Sequence, residues 1–160
     1  MDFLIALHDY RLTDMNITFT PREEIVEVIN RLFYYTDYLE WEKLIAEVFA
    51  PEVKLDMTSL GEKEEVFLTS REICNMWDEA LKDVDAVHHQ PGNYIIQIEE
   101  HEAFAKAYAI ATHYKKRNTQ GPLREFVGSY DLHFIRTEGG WRIDGFKYNL
   151  KYMDGNIYFK

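Results

Sequence analysis

The sequence predicts an α+β fold in which three helices from the first half of the chain lie against a strongly curved, mainly antiparallel sheet. Helical three- and four-residue spacing of apolar residues dominates the first half, and four long alternating runs dominate the second half. Strands of this length pair antiparallel and curl, so the arrangement predicts a conical barrel rather than a doubly wound fold. With 160 residues, 46% of them hydrophobic, the chain is expected to form one domain over residues 1–160.

The first helix is marked by its start signal and by a carboxylate on its apolar face. Thr20, Pro21 and Glu23 form a capping box with proline in the first turn, and residues 1–20 before it form an arm. The apolar stripe of the helix consists of Ile25, Val28, Ile29, Leu32 and Phe33. Asp37 is the next position on this stripe, and a buried carboxylate needs a partner. The candidate partners come much later in the chain: His88, His89, His113 and Asp131.

Two more helices and one strand complete the first half. Residues 40–49 carry a second helical stripe, and residues 52–58 alternate as a half-buried strand does. Thr69 and Glu72 form another capping box, which opens a third helix. The side chains expected to face inward from this helix are Ile73, Met76, Trp77, Ala80 and Leu81. The single cysteine, Cys74, is interpreted as a small buried hydrophobe in a reducing compartment.

The second half is predicted to be a sheet. Its four long strands are expected at residues 87–99, 103–117, 125–136 and 141–152, and a last short strand at 156–159. Gly139 and Gly140 make a tight hairpin between the third and fourth of these strands.

The overall charge and hydropathy exclude several classes of partner. A formal net charge of −10 argues against binding to nucleic acid or to an anionic membrane surface, which requires clustered Lys and Arg. The opening apolar run lacks a basic flank, and no stretch approaches membrane-spanning length. We therefore expect a cytoplasmic protein.

Alternation predicts which strand side chains share a face. Alanines at every second position from Ala103 to Ala111 share a face with His113, and a face of small residues leaves space for a cavity. In the next strand Asp131 lies opposite an apolar stripe made of Phe126, Tyr130, Leu132 and Phe134. We interpret this stripe as an outer surface that contacts a second subunit, which predicts a homodimer or homotrimer through the sheet. His88 and His89 point to opposite sides, and alternation alone does not choose between them.

Several motifs resemble those of the SnoaL-like proteins, a family of the nuclear-transport-factor-like superfamily with its cystatin-like cone. They are the segments at residues 33–41, 48–53, 88–93, 103–113 and 139–146, and the likeness covers about residues 21–150. The pattern is nearest to scytalone dehydratase and the bile-acid dehydratases. The resemblance implies a deep apolar pocket in which Asp37 is the helix aspartate, His89 the catalytic histidine and Asp131 a polar pocket residue.

The chain also departs from the scytalone dehydratase pattern. Thr36 and Met57 occupy positions where that enzyme has tyrosines, and His113 is two residues out of step with its second catalytic histidine. A shift of two residues preserves the strand face, so His113 can still reach the pocket. The departures imply a substrate other than scytalone.

These observations together predict a lyase or isomerase that uses no cofactor and acts on a small hydrophobic molecule with a hydroxyl or carbonyl group. His89, oriented by Asp37, is the expected base, and His113 and Asp131 complete the polar end of the pocket. The expected substrate contacts are Tyr34, Met57, Trp77, Asn93 and Tyr148.

Three alternatives stay open at this point. The chain can be a ligand-binding module without chemistry, or a partner subunit resembling the small subunit of ring-hydroxylating dioxygenases. His89, His113 and Asp131 contain the residue types of a non-haem iron site, but their spacing is no metal motif, so we expect no metal.

Overall fold

The computed structural model describes residues 18–156 and Tyr158, and it confirms the α+β cone. Most of the predicted N-terminal arm, with residues 1–17, lies outside the described residues. The helices are α1 (Pro21–Asp37), α2 (Trp41–Lys43), which continues as a π-helical segment over Leu44–Val48, and α3 (Ser70–Leu81). The strands are β1 (Phe49–Asp56), β2 (Val66–Thr69), β3 (Ala86–Ile98), β4 (Glu102–Tyr114), β5 (Leu123–Thr137) and β6 (Gly140–Gly155).

The strands form one sheet in the order β2-β1-β6-β5-β4-β3. The β1–β6 pairing is parallel, and each other neighbouring pair in this order is antiparallel. The two long helices begin as predicted: Thr20 Oγ1 accepts the Glu23 main-chain N–H at 3.3 Å, and Thr69 Oγ1 accepts that of Glu72 at 3.2 Å. No helix in the described part of the chain is long and apolar enough to cross a membrane.

The boundaries around β1 differ from the prediction. The strand begins at Phe49, inside the predicted second helix, and Phe49 pairs with Ile143 of β6. A break in register between Phe49 and Lys54 accommodates Pro51, which has no N–H to donate. The strand ends at Asp56, whose Oδ1 accepts the main-chain N–H of Thr58 at 3.0 Å. The short strand β2 was not predicted, and Asn156, where a last strand was expected, lies in no strand.

The face assignment of β5 is the main correction to the sequence prediction. Tyr130, Leu132 and Phe134 are only 7%, 2% and 0% exposed, so the stripe interpreted as an outer surface forms the core under the helices. The alternating alanines of β4 are buried on the same side. Cys74 is buried as expected, whereas Met76, predicted to face inward, is 41% exposed. The inner side of the sheet therefore carries both the aromatic and the alanine stripes.

Candidate active site

Asp37 lies at the end of α1, and its surroundings explain why it needs a partner. It is the last residue of the helix, where the unpaired carbonyl groups disfavour a carboxylate, and its side chain is only 11% exposed. The buried stripe of α1 holds this end of the helix against the sheet. A carboxylate in this place requires donors from a neighbouring element.

His89, on β3, supplies two such donors. Its Nδ1 lies 2.6 Å from Oδ1 of Asp37, and its main-chain N–H donates to Oδ2 at 2.9 Å. Among the described strands β3 is at the edge of the sheet, so Asp37 accepts an N–H for which the described part of the chain offers no neighbouring strand. A carboxylate accepts hydrogen bonds, so Nδ1 of His89 carries a hydrogen, and in the neutral form of the ring the lone pair is on Nε2.

The neighbouring His88 takes no comparable position. Its side chain is 74% exposed, and its Nδ1 is 3.8 Å from Asp37 Oδ2. The His89 ring is only 10% exposed and lies 5.1 Å from the Phe33 ring, centroid to centroid. The structure therefore shows that His89, and not His88, packs against Asp37 and lines the inner side, which strand alternation had left open.

A cavity of about 270 Å³ lies between the helices and the inner face of the sheet, with His89 on its wall. Most of the lining is apolar or aromatic, including Leu32, Phe33, Met57, Trp77, Tyr130 and Phe146. Asp37 is not part of this lining. Since Nδ1 of His89 is held by Asp37 behind the wall, Nε2 is the ring nitrogen left for a molecule in the cavity.

A second imidazole, that of His113, lines the same cavity from β4. His89 pairs with Ala111 in the register of β3 and β4, so His113 is its diagonal neighbour on the same face, at about 7–8 Å. Arg124 of β5 lies directly opposite His113, and its Nη2 is 2.9 Å from His113 Nδ1. Burial, with smaller contributions from Arg124 and His89, lowers the pKa of His113 to about 4.

Tyr148 of β6 adds a phenol to the cavity. Its hydroxyl is buried and has no hydrogen-bond partner among the described residues, and burial raises its pKa to about 12. Gly128 makes this position possible: a Cβ there would lie 2.6 Å from the Tyr148 hydroxyl. The phenol is therefore protonated at neutral pH and is a buried hydrogen-bond donor at the edge of the cavity.

Comparisons with known proteins identify the family. A model of the SnoaL-like domain matches residues 18–147. The chain belongs to the SnoaL-like family. No curated protein matches its sequence.

Solved structures share the cone fold of this SnoaL-like domain. The Kfla4162 protein from Kribbella flavida superposes with a TM-score of 0.80 at 22% identity, over 84% of this chain and 93% of that chain. A candidate scytalone dehydratase from Novosphingobium aromaticivorans gives 0.73 at 15% identity, over 84% and 87%. The type 2 hexachlorocyclohexane dehydrochlorinase LinA gives 0.71 at 9% identity, over 86% and 89%. Structural similarity at identities this low shows a common fold, and the chemistry has to be inferred from the residues of the site.

The structure brings six of the nine predicted site residues to the SnoaL-like cavity or directly behind its wall. These are Asp37, Met57, Trp77, His89, His113 and Tyr148. The other three lie elsewhere. Tyr34 is 58% exposed and contacts Tyr38, with 4.7 Å between ring centroids. Asn93 has a φ of 57° in the irregular segment of β3 between Gly92 and Ile95, and it borders a separate surface depression.

The prediction of Asp131 as a pocket acid is wrong. Tyr130 and Leu132 point inward, so Asp131 lies on the outer face of the sheet. There it pairs with Lys106 at 3.1 Å and accepts a hydrogen bond from Asn149 at 3.0 Å. It cannot join His89 and His113 around one metal ion. Among the described residues, no group of three or more His, Cys, Asp or Glu side chains is arranged to hold a metal.

Sequence reasoning missed Arg124. The predicted strand began at residue 125, so the arginine lay just outside it. Extending the alternation back by two residues from Phe126 places Arg124 on the inner face, opposite His113.

Proposed function

We propose that this SnoaL-like protein is a lyase or isomerase that uses no cofactor and moves a proton on a small hydrophobic molecule bearing a hydroxyl or carbonyl group. The proposal rests on the contact of 2.6 Å between His89 Nδ1 and Asp37 Oδ1, in which the His89 ring lies on the wall of an open, mainly apolar cavity and Asp37 lies behind that wall. A pair that served only to tie α1 to the sheet would not need a cavity beside the free nitrogen.

In the proposed reaction His89 is the base. Its Nε2 takes a proton from a carbon next to a carbonyl group, and the electron pair of the C–H bond moves toward the carbonyl oxygen. Asp37 holds the ring in the required tautomer and stabilises the imidazolium that forms. The imidazolium then returns the proton to a leaving hydroxyl, which departs as water, or to a second carbon.

The remaining polar groups of the cavity suit the carbonyl side of such a substrate. His113 presents a neutral imidazole that can donate to an oxygen that gains negative charge, and the protonated phenol of Tyr148 lies buried at the edge of the same cavity. The volume of about 270 Å³ is at the small end for ligand sites, which favours a compact ring compound.

The test follows proton removal directly and does not require the natural substrate. In D₂O the protein should catalyse exchange of the α-hydrogens of 2-tetralone, a compact cyclic ketone, measured by proton NMR. Asp37→Asn keeps the shape of the side chain and removes its charge, and we expect exchange to slow by about a hundredfold or more. His89→Gln should abolish the catalysed exchange.

A second histidine–aspartate pair provides the matched control. His133 Nδ1 lies 2.6 Å from Asp144 Oδ1 on the outer side of the sheet, away from the cavity lining. Asp144→Asn breaks the same kind of contact and should leave the exchange rate unchanged. If wild-type protein gives no exchange above buffer, or if Asp37→Asn exchanges as fast as Asp144→Asn, the catalytic proposal fails and a ligand-binding module without chemistry takes its place.

A further inference from the structure

The contact with Arg124 determines the protonation state and the tautomer of His113. A guanidinium group can only donate hydrogen bonds, so the contact of 2.9 Å requires a lone pair on His113 Nδ1. A doubly protonated ring would point an N–H at the guanidinium, and this contact would be lost. His113 is therefore neutral, with its hydrogen on Nε2.

The two cavity imidazoles consequently have opposite tautomers. The contact with Asp37 gives the neutral His89 ring an accepting Nε2, and the contact with Arg124 gives His113 a donating Nε2–H. Both rings lie on the same face of neighbouring strands, as diagonal neighbours. One compact molecule can meet an acceptor at one ring and a donor at the other.

Arg124 also brings a positive charge to this end of the cavity. Among the described residues that line the cavity, Arg124 is the one with a permanent charge, in a chain whose net charge is −10. It is held in place by the Phe126 ring, with 4.9 Å between its guanidinium carbon and the ring centroid. The Phe126 ring also lies 5.2 Å from the His113 ring, so the three side chains form one layer.

We propose that Arg124 is a positioning residue that acts through His113. Its effect is that this end of the cavity prefers to bind a substrate oxygen that is ionised, as in a carboxylate, or becomes ionised during the reaction, as in an enolate. The positive guanidinium polarises the imidazole, so the Nε2–H of His113 becomes a stronger donor without releasing its proton. The substrate class is then a small ring compound with an acidic or enolisable oxygen group. This substrate class rests on the proposed function, whereas the preference for an anion can be measured without turnover.

Two measurements on the full chain test the proposal. NMR of protein with ¹⁵N-labelled histidine should show His113 Nδ1 unprotonated and Nε2 protonated at pH 7. Calorimetry should show that 2-naphthoate binds about tenfold or more tightly than 2-naphthamide, its neutral isostere. In Arg124→Met the preference should disappear and His113 should populate both tautomers, whereas Arg124→Lys should restore part of the preference.

Control variants separate this proposal from the catalytic one. Arg136→Gln removes an arginine from the other end of β5, where it pairs with Glu24, and should keep the preference for naphthoate. Asp37→Asn should also keep it, even if the dyad proves to have no role in catalysis. A protonated Nδ1 on His113, no measurable naphthoate binding, equal binding of the two probes, or a preference that survives in Arg124→Met would overturn the proposal.

Discussion

Acidification is expected to destabilise the folded protein through His113. Burial, together with the positive charge of Arg124 and the proximity of His89, lowers its pKa from 6.5 to about 4. The unfolded chain therefore binds a proton at this residue at a higher pH than the folded chain does. The part of the unfolding free energy that depends on neutral His113 is fully present above pH 6.5 and is lost as the pH falls toward 4.

The size of the effect follows from the two pKa values. Linkage gives a loss of about 2 kcal/mol of unfolding free energy between pH 7.5 and pH 5 for a shift from 6.5 to about 4. For a chain of this length the melting temperature should fall by roughly 4–8 °C from this residue alone. His113→Gln removes the titrating group. The loss of unfolding free energy between pH 7.5 and pH 5 should therefore be about 2 kcal/mol smaller in this variant than in the wild type.

The assay is urea unfolding of both proteins at pH 7.5 and pH 5, followed by circular dichroism. His101→Gln is the matched control, because the side chain of His101 is 76% exposed and its loss should leave the pH dependence as in the wild type. Equal losses of stability in wild type and His113→Gln over this range would refute the argument that His113 is held neutral in the fold.

Other parts of the structure lead to further predictions. Asp37→Leu should lower the unfolding free energy by about 1–3 kcal/mol, because the main-chain N–H of His89 loses its acceptor; unchanged urea unfolding would contradict this. Burial raises the pKa of the Cys74 thiol to about 11, so iodoacetamide should modify it only after unfolding, and rapid labelling of the folded protein would be the contrary result. We also propose a homodimer or homotrimer through the outer side of the sheet, where Phe104 and Tyr108 are about half exposed; light scattering that gives a monomer at micromolar concentration would remove this proposal.

Local signals in the sequence were enough for the helix starts and for the grouping of strand residues by face. The capping boxes at Thr20 and Thr69 and the alanine alternation on β4 are local, and the structure confirms each of them. Alternation does not determine which of two faces lies under the helices. On β5 the sequence correctly places the bulky stripe and Asp131 on opposite faces. Which of these faces is buried depends on the side of the sheet against which α1 packs.

Asp37 shows why the sequence could identify a site residue without giving its full role. On the helix stripe it looks like a carboxylate held at a cost to stability, which leucine should relieve. In the structure the same group orients the His89 ring and also accepts the His89 main-chain N–H on the edge of the sheet. That second contact joins residues 52 positions apart, so no local pattern indicates it. Replacement of Asp37 by leucine removes both contacts, so the effect of this variant on activity cannot be separated from its effect on stability. Asparagine keeps an acceptor for the main chain while it removes the charge, so Asp37→Asn is the variant whose effect on proton transfer can be assigned to the dyad.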